Sequence, residues 1–326
     1  MMKRDKTIDV LKGIGIFLVV YAHAMAGRIC FLKYIFSFHM GLFFFAAGYL
    51  LNGKTDMPFG KFFRKKFKAF FLPYLVFFLI AVLTAFVRGR VESGTFADFL
   101  RCFLISPGTK IGAFKWAIPL WFLHHLFFAE LIFYFVAKCG KRVMGFVALC
   151  CLLFVAPYQS LFPHFAAPFT ATALLSSIFY LSVGFLFRDI SKYFAGKKYL
   201  ALLLIVCGYV FSCHNMGNMQ VFAHTTTMYL LGSLFSIIGW YSAAETVGSR
   251  FLEYLGRNSL YVYGFHTGVW YIVNLLFIVL SRVGVLSGPR WPETAFLWTA
   301  ANIVISAFFG EIYKFAANRL GKKKNA

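Results

Sequence analysis

Long apolar segments recur along the whole chain of 326 residues, of which 60% are hydrophobic and only 13% are charged. Soluble globular domains average about 45–50% apolar and about 25% charged residues. A single domain of this size cannot bury so much apolar surface away from water. The composition therefore excludes a soluble enzyme, a disordered chain and a disulfide scaffold, and it predicts a protein surrounded largely by lipid.

Ten of these segments approach the length of about 20 residues that a helix needs to cross the hydrocarbon core of a bilayer. They lie near 8–26, 34–52, 69–87, 117–137, 143–158, 172–187, 199–214, 224–243, 259–281 and 295–315. Their apolar residues are continuous rather than alternating, which favours helices over the strands of a membrane β-barrel. We expect an all-α, polytopic bundle of about ten transmembrane helices, forming a single domain over residues 1–326.

Basic residues are unevenly distributed among the connecting segments. If the N-terminus lies in the cytoplasm, 24 of the 33 Lys and Arg residues fall on the cytoplasmic side. Membrane proteins concentrate Lys and Arg there, so we expect both termini on that side of a multi-pass protein in the cytoplasmic (inner) membrane. The net charge of +22 then follows from topology, and no nucleic-acid-binding motif accompanies it. The longest outer segment, 88–116, is expected to fold over the outer mouth.

The first apolar segment carries Asp9, Lys12 and His23, and ionisable residues inside a membrane are functional candidates because they are costly there. Asp9 and Lys12 form an i,i+3 pair whose charges can neutralise each other. Lys12 and His23 are eleven residues apart, so they share nearly one helix face and lie roughly 16 Å apart along the axis. The alternative interpretation is a snorkelling lysine together with a hydrogen-bonded, packed histidine.

Two later segments carry further candidates. His39 lies near the predicted outer end of the second segment, where it either shares a cavity with His23 or is an interfacial histidine. Glu130 lies deep in the fourth segment, where a histidine partner would keep it charged. No metal site is expected, because His124, His125 and Glu130 lack zinc-protease spacing and the seven cysteines include no CxxC pair.

The segment around 53–68, predicted to be cytoplasmic, is densely basic. Its cations are Lys54, Lys61, Arg64, Lys65, Lys66 and Lys68. They either anchor the topology beside anionic lipid headgroups or form a site for a polyanionic ligand, such as a phosphorylated cofactor.

The ninth segment follows the sequence Gly256-Arg257-Asn258-Ser259. We predict that Gly256 ends the preceding segment and that Asn258 or Ser259 caps the new helix, which carries His266. The remaining histidines, His164, His214 and His224, are expected to be solvated at outer loops or helix edges.

Five motifs, in order, resemble those of the membrane-bound acyltransferase-3 family. They are Asp9–Gly13 followed by His23, Phe38–Met40 through Gly48–Tyr49, Arg64–Lys68 followed by Pro73–Tyr74, Leu120–Leu123, and Gly256–Leu260 continuing to His266. Lys12 stands where Arg is commoner, Gly41 where Pro is usual and Ala47 where Ser is usual. Without a fused esterase-like domain, the chain is most similar to the fucose 4-O-acetylase-like branch.

The resemblance implies transfer of an acyl group, usually acetyl, from acetyl-CoA to a hydroxyl of a cell-envelope or exported polysaccharide or its lipid-linked precursor. It implies that His23 is a general base or a transient acyl carrier, with Glu130 and His39 as further catalytic residues. The cations expected to hold the phosphates of CoA are Lys12, Arg64, Lys65, Lys66 and Lys68. The residues expected to support the site are Asp9, Trp121, Asn258, Ser259 and His266.

Two other functions use the same features. A transporter or flippase for an anionic or glycolipid substrate would use the intramembrane His and Glu residues as a proton relay. A nonenzymatic partner in a polysaccharide assembly complex would keep its function when His23 is replaced.

Overall fold

The computed structural model describes residues 5–24, 29–87, 100, 103, 120–161, 171–214, 217–218, 221–222, 226–285 and 294–323. The α-helices of these residues are α1 (Lys6–Ala24), α2 (Ile29–Leu51), α3 (Phe59–Lys66), α4 (Leu72–Val87), α5 (Trp121–Lys138), α6 (Lys141–Leu161), α7 (Ala171–Ile190), α8 (Lys198–His214), α9 (Thr226–Val247), α10 (Arg250–Arg282) and α11 (Ala295–Lys323). The predicted outer segment 88–116 lies outside the described residues except for Leu100 and Phe103.

Three short elements complete the described fold. A π-helical turn, Phe67–Phe71, joins α3 to α4, and a 3-10 turn, Ser191–Tyr193, follows α7. The two-residue strands β1 (Gly217–Asn218) and β2 (Val221–Phe222) pair antiparallel.

Each of the ten predicted segments overlaps one of the described helices. Seven helical stretches are long and apolar enough to cross a membrane: Lys6–Ala24, Phe31–Leu51, Phe59–Thr84, Trp121–Lys138, Ala173–Tyr193, Arg250–Arg282 and Ala295–Arg319. Helix α8 is apolar but shorter. The expectation of a membrane helical bundle is therefore confirmed, while the number of crossings and the side of the termini stay predictions.

The chain divides into two compact units. The first comprises Met1–Ile35 and Gly248–Ala326, and it contains α1, α10 and α11. The second comprises Phe36–Val247 and contains most of α2 and the helices up to α9. The assignment of one domain to the whole chain stays a prediction.

In the first unit, α1 and α10 pack backbone against backbone through two glycines. A Cβ atom at Gly13 would lie 2.0 Å from the carbonyl oxygen of Leu252, and one at Gly256 would lie 1.7 Å from that of Asp9. Only glycine permits such an approach, and small residues serve this purpose widely in membrane helix packing. The two helices run parallel, because His23, beyond Gly13, packs against His266, beyond Gly256.

The predicted start of the ninth helix is wrong. Helix α10 begins at Arg250, because Ser249 is its N-cap and accepts a hydrogen bond from the Leu252 N–H at 3.3 Å. Asn258 and Ser259 lie inside the helix and donate to carbonyls of the preceding turn. A cap would accept from N–H groups instead, so these side chains have a different role.

In the second unit, glycines again bring two helices together. A Cβ atom at Gly48 would lie 2.0 Å from the Leu181 carbonyl oxygen, and one at Gly184 equally close to that of Phe45. Gly41 faces the ring of Tyr180, which a Cβ would approach to 2.8 Å. The departure from the family pattern at Gly41 is therefore explained by this aromatic neighbour, which leaves no room for a proline ring.

Candidate active site

His23 and His266 form a pair of imidazole rings in the first unit. Their ring centroids lie 5.3 Å apart, and the ring planes are tilted by 36°. His23 occupies the last turn of α1 and is exposed, whereas His266 is only 1% exposed within α10. The pair thus combines an exposed imidazole with a buried one. The two residues are more than 240 positions apart, so the sequence alone does not predict that they meet.

The hydrogen bonds of His266 define which of its nitrogens carries the proton. Its Nδ1 lies 2.6 Å from the carbonyl oxygen of Tyr263, which accepts only from an N–H group. A neutral ring then has an unshared electron pair on Nε2, and this atom is buried without a hydrogen-bond partner among the described residues. The His266 carbonyl accepts from Asn302 of α11 at 3.1 Å, and Ser306 in turn donates to Asn302 at 3.1 Å.

The other end of α1 carries a group of ion pairs. The predicted pair between Lys12 and Asp9 is confirmed, with Nζ and Oδ1 2.9 Å apart. The second oxygen of Asp9 lies 3.7 Å from Nε of Arg257, whose guanidinium also pairs with Glu253. Among the described residues, Lys12 and Arg257 thus lie beside Asp9 and Glu253, and the Lys12 side chain is 19% exposed.

Asn258 follows Arg257 in the chain and accepts a hydrogen bond from a third cation. Its Oδ1 accepts a hydrogen bond from the ammonium of Lys314 on α11, which also lies 2.8 Å from Glu311. Ser259 makes its hydrogen bond to the Gly256 carbonyl within α10. Both residues therefore stabilise the packing and backbone of the first unit.

In the second unit, the partner of Glu130 is a lysine rather than the histidine considered from the sequence. Nζ of Lys66 lies 2.5 Å from Oε2 of Glu130, whose side chain is 1% exposed. The ammonium also lies 5.4 Å and 5.3 Å from the ring centroids of Phe62 and Phe70. Lys66 directly precedes the π-helical turn, a type of irregularity that is frequent at functional sites.

Further cations surround this ion pair, and we call Lys54, Lys65, Lys66 and Arg188 the basic cluster. The pKa of Lys54 is lowered by its partial burial and by the charges of the other three, while Glu130 opposes this effect. The Arg188 guanidinium lies 5.7 Å from the ring centroid of Tyr49 and donates to the Asn52 carbonyl. Among the described residues, Lys54 therefore lies near three further cations and one carboxylate, which leaves a surplus of positive charge.

Sequence analysis did not identify Arg188 as a site residue. The sequence around it shows only that it follows an apolar segment on the predicted cytoplasmic side. Arg64 and Lys68, which were predicted to bind phosphates, are exposed on α3 and on the π-helical turn. Their role stays a prediction.

Two of the remaining candidates, His39 and Trp121, are buried and contact other aromatic rings. His39 is buried, with its ring centroid 5.4 Å from that of Phe36, and its shared cavity with His23 stays a prediction. Trp121 begins α5 and packs edge-to-face on His125, whose Nδ1 lies 2.8 Å from the Trp121 carbonyl oxygen. His214 is exposed, and the positions 164 and 224 lie outside the described residues.

Comparison with known families places the chain among membrane acyltransferases. Residues 5–313 match the model of the acyltransferase-3 family, described as an acyltransferase domain. The chain belongs to the acyltransferase-3 family. Together with its apolar helices, this membership makes it an integral-membrane acyltransferase, and it does not favour the transporter. No curated protein matches the chain significantly.

In the part of the chain that the structure describes, no three His, Cys, Asp or Glu side chains are grouped closely enough to hold a metal ion.

Proposed function

We propose that this acyltransferase-3 protein transfers an acetyl group from acetyl-CoA to a sugar hydroxyl of a cell-envelope or exported polysaccharide or its lipid-linked precursor. We place it in the fucose 4-O-acetylase-like branch and in the cytoplasmic (inner) membrane, with about ten crossings and both termini inside. The observation that carries the proposal is the exposed imidazole of His23 in a chain of this family. The parallel run of α1 and α10 supports the topology, because the first and ninth crossings must point the same way.

His23 acts as the general base in this reaction. Its imidazole takes the proton of the acceptor hydroxyl while the hydroxyl oxygen forms a bond to the thioester carbonyl carbon. The carbon–sulfur bond then breaks, and His23 returns the proton to the departing thiolate. The products are the sugar ester and free CoA, and the enzyme ends in its starting protonation state.

The phosphates of the donor require cations, and the basic cluster has them in surplus. Hydrogen bonds between cations and phosphate oxygens are the strong, charge-assisted type. Lys54, Lys65 and Arg188 are the members of the cluster without a carboxylate within ion-pair distance in the described residues, so we assign them the largest share of donor binding. Lys66 is shared with Glu130, and Lys12 is shared with Asp9.

The remaining predicted site residues receive narrower roles. Glu130 positions Lys66, since the two are in direct contact. We keep His39 as a candidate contact to the acceptor, and Arg64 and Lys68 as peripheral contacts that attract the polyanionic donor. Trp121, Asn258 and Ser259 stabilise the helices that carry the functional side chains.

The decisive experiment uses purified protein in lipid nanodiscs with radiolabelled acetyl-CoA and a crude envelope extract as the source of acceptor. The wild type should release CoA and label a glycan, while His23→Ala should do neither. The matched control is His214→Ala, because His214 is an exposed histidine at the end of α8. Transfer by His23→Ala at the wild-type rate would overturn the role of His23, and failure of the wild type to bind acetyl-CoA would overturn the proposed function.

A further inference from the structure

We propose that His266 is a positioning residue that sets the tautomer of His23, by accepting a hydrogen bond from a ring N–H of His23 at its own Nε2. The catalytic significance of this inference rests on the proposed function, whereas the hydrogen bond itself does not. The buried Nε2 of His266 has no hydrogen-bond partner among the described residues, although a second imidazole lies beside it. A buried acceptor left without a donor is unfavourable, so the neighbouring ring is its natural partner.

The distance between the rings fits such a bond. Two imidazoles joined by a nitrogen–nitrogen hydrogen bond of about 3 Å have their centroids roughly 5 Å apart. The observed separation is 5.3 Å, with a tilt of 36°. A rotation of the His23 side chain, which is exposed and lies in the last turn of α1, completes the alignment.

The direction of this hydrogen bond is fixed by the surroundings of His266. Its Nδ1 proton is already donated to the Tyr263 carbonyl, so Nε2 is available only as an acceptor. The backbone at His266 is held in turn by Asn302 from α11. Nε2 of His266 therefore cannot become a donor in the neutral ring unless Nδ1 loses its bond to Tyr263. His23 has to be the donor.

The consequence for His23 concerns its second nitrogen. Which imidazole nitrogen is protonated is determined by the hydrogen bond that the other nitrogen makes. Once one nitrogen of His23 donates to His266, the other carries the unshared electron pair and can take a proton from a hydroxyl. His266 thus keeps the base in its reactive form without touching the substrate.

The test compares variants of His266 that keep or remove the acceptor. His266→Phe keeps a ring but has no electron pair to offer, and His266→Leu serves as a second such variant if the Phe ring does not fit. His266→Gln provides an amide oxygen as a substitute acceptor. Nitrogen NMR of histidine-labelled protein reports the tautomer of His23, whose signals are identified by their loss in His23→Ala.

We expect one dominant His23 tautomer in the wild type and in His266→Gln, and a mixture in His266→Phe and His266→Leu. The value of kcat should fall about 100-fold in the variants without an acceptor, with KM for acetyl-CoA unchanged, and His266→Gln should recover most of it. An unchanged His23 nitrogen spectrum in a folded His266→Phe or His266→Leu protein would overturn the inference. Because this spectrum is read without any acyl transfer, a wild type that lacks activity would overturn only the proposed function.

Discussion

The ammonium of Lys66 lies 2.5 Å from the carboxylate of Glu130, a residue with only 1% of its side chain exposed. This contact connects the basic segment after α2 with the middle of α5. A buried charge loses the solvation of water, and only a close partner compensates for that loss. The pair therefore explains how an acidic residue is kept within an apolar helix.

Glu130→Gln should destabilise the protein strongly, because it leaves the ammonium of Lys66 largely buried without its partner. Removing one member of a buried ion pair typically lowers the free energy of unfolding by about 3–5 kcal/mol. Thermal unfolding in detergent measures the effect, and the double variant Glu130→Gln/Lys66→Met should recover much of it. The control is Asp189→Asn, which breaks the exposed pair with Lys141 and should change stability by about 1 kcal/mol or less. Equal effects of the two single variants would contradict the role of burial.

Replacing a member of the basic cluster should weaken donor binding more than it slows the chemical step. Lys54→Gln, Lys65→Gln and Arg188→Gln each remove a charge-assisted contact, for which the expected loss is about 1.5–3 kcal/mol, or roughly tenfold or more in KM for acetyl-CoA. Steady-state kinetics at fixed ionic strength tests this expectation. Lys192→Gln removes an exposed cation outside the cluster and should leave KM within about twofold. A uniform response of all four variants would indicate a general charge effect instead.

Donor affinity should also depend on pH through Lys54. Because burial and the charges of Lys65, Lys66 and Arg188 lower the pKa of Lys54, its cation is lost as the pH rises through a range below that of an ordinary lysine. Only the cationic form attracts phosphate, so affinity for acetyl-CoA should be highest below that range and should fall as the pH rises through it. In Lys54→Arg, which stays charged, this part of the pH profile should disappear. Isothermal titration at several pH values checks the difference, and identical profiles would remove Lys54 from the site.

Lys12 should support binding of the donor without taking part in proton transfer. Lys12→Ala is expected to raise KM for acetyl-CoA with a smaller change in kcat, whereas His23→Ala abolishes turnover. Lys12→Arg keeps a cation beside Asp9 and should preserve KM. A large fall in kcat for Lys12→Ala at saturating acetyl-CoA would show that the residue affects chemistry.

The contact between α1 and α10 should tolerate no side chain at its glycines. Gly256→Ala would place a methyl group 1.7 Å from the Asp9 carbonyl oxygen, so the helices must separate. Overpacking of this kind typically destabilises by about 1–3 kcal/mol or more, which thermal unfolding will detect. Gly268→Ala is the control on the same helix, because nothing lies within 4 Å of its added Cβ. Equal stability of the two variants would contradict the close approach.

Local signals in the sequence predicted the helices and the Asp9–Lys12 pair, because apolar run length and i,i+3 spacing act within one element. The start of α10 was predicted incorrectly, since Gly256 resembles a helix end but instead provides space for α1. The partner of Glu130 and the contact between His23 and His266 depend on which helices pack together. Composition and spacing contain no information on such pairings, so these relationships required the fold.

The two imidazoles lie equally far from the glycine crossing of their helices. Gly13 precedes His23 by ten residues, and Gly256 precedes His266 by ten, a distance of roughly 15 Å along each parallel helix. A one-residue insertion in either stretch would turn its histidine by about 100° and carry it away from the other ring. The crossing and the equal spacing together place the two rings at the same height along the parallel helices. Chains that use this pair should therefore change the length of both stretches together or of neither.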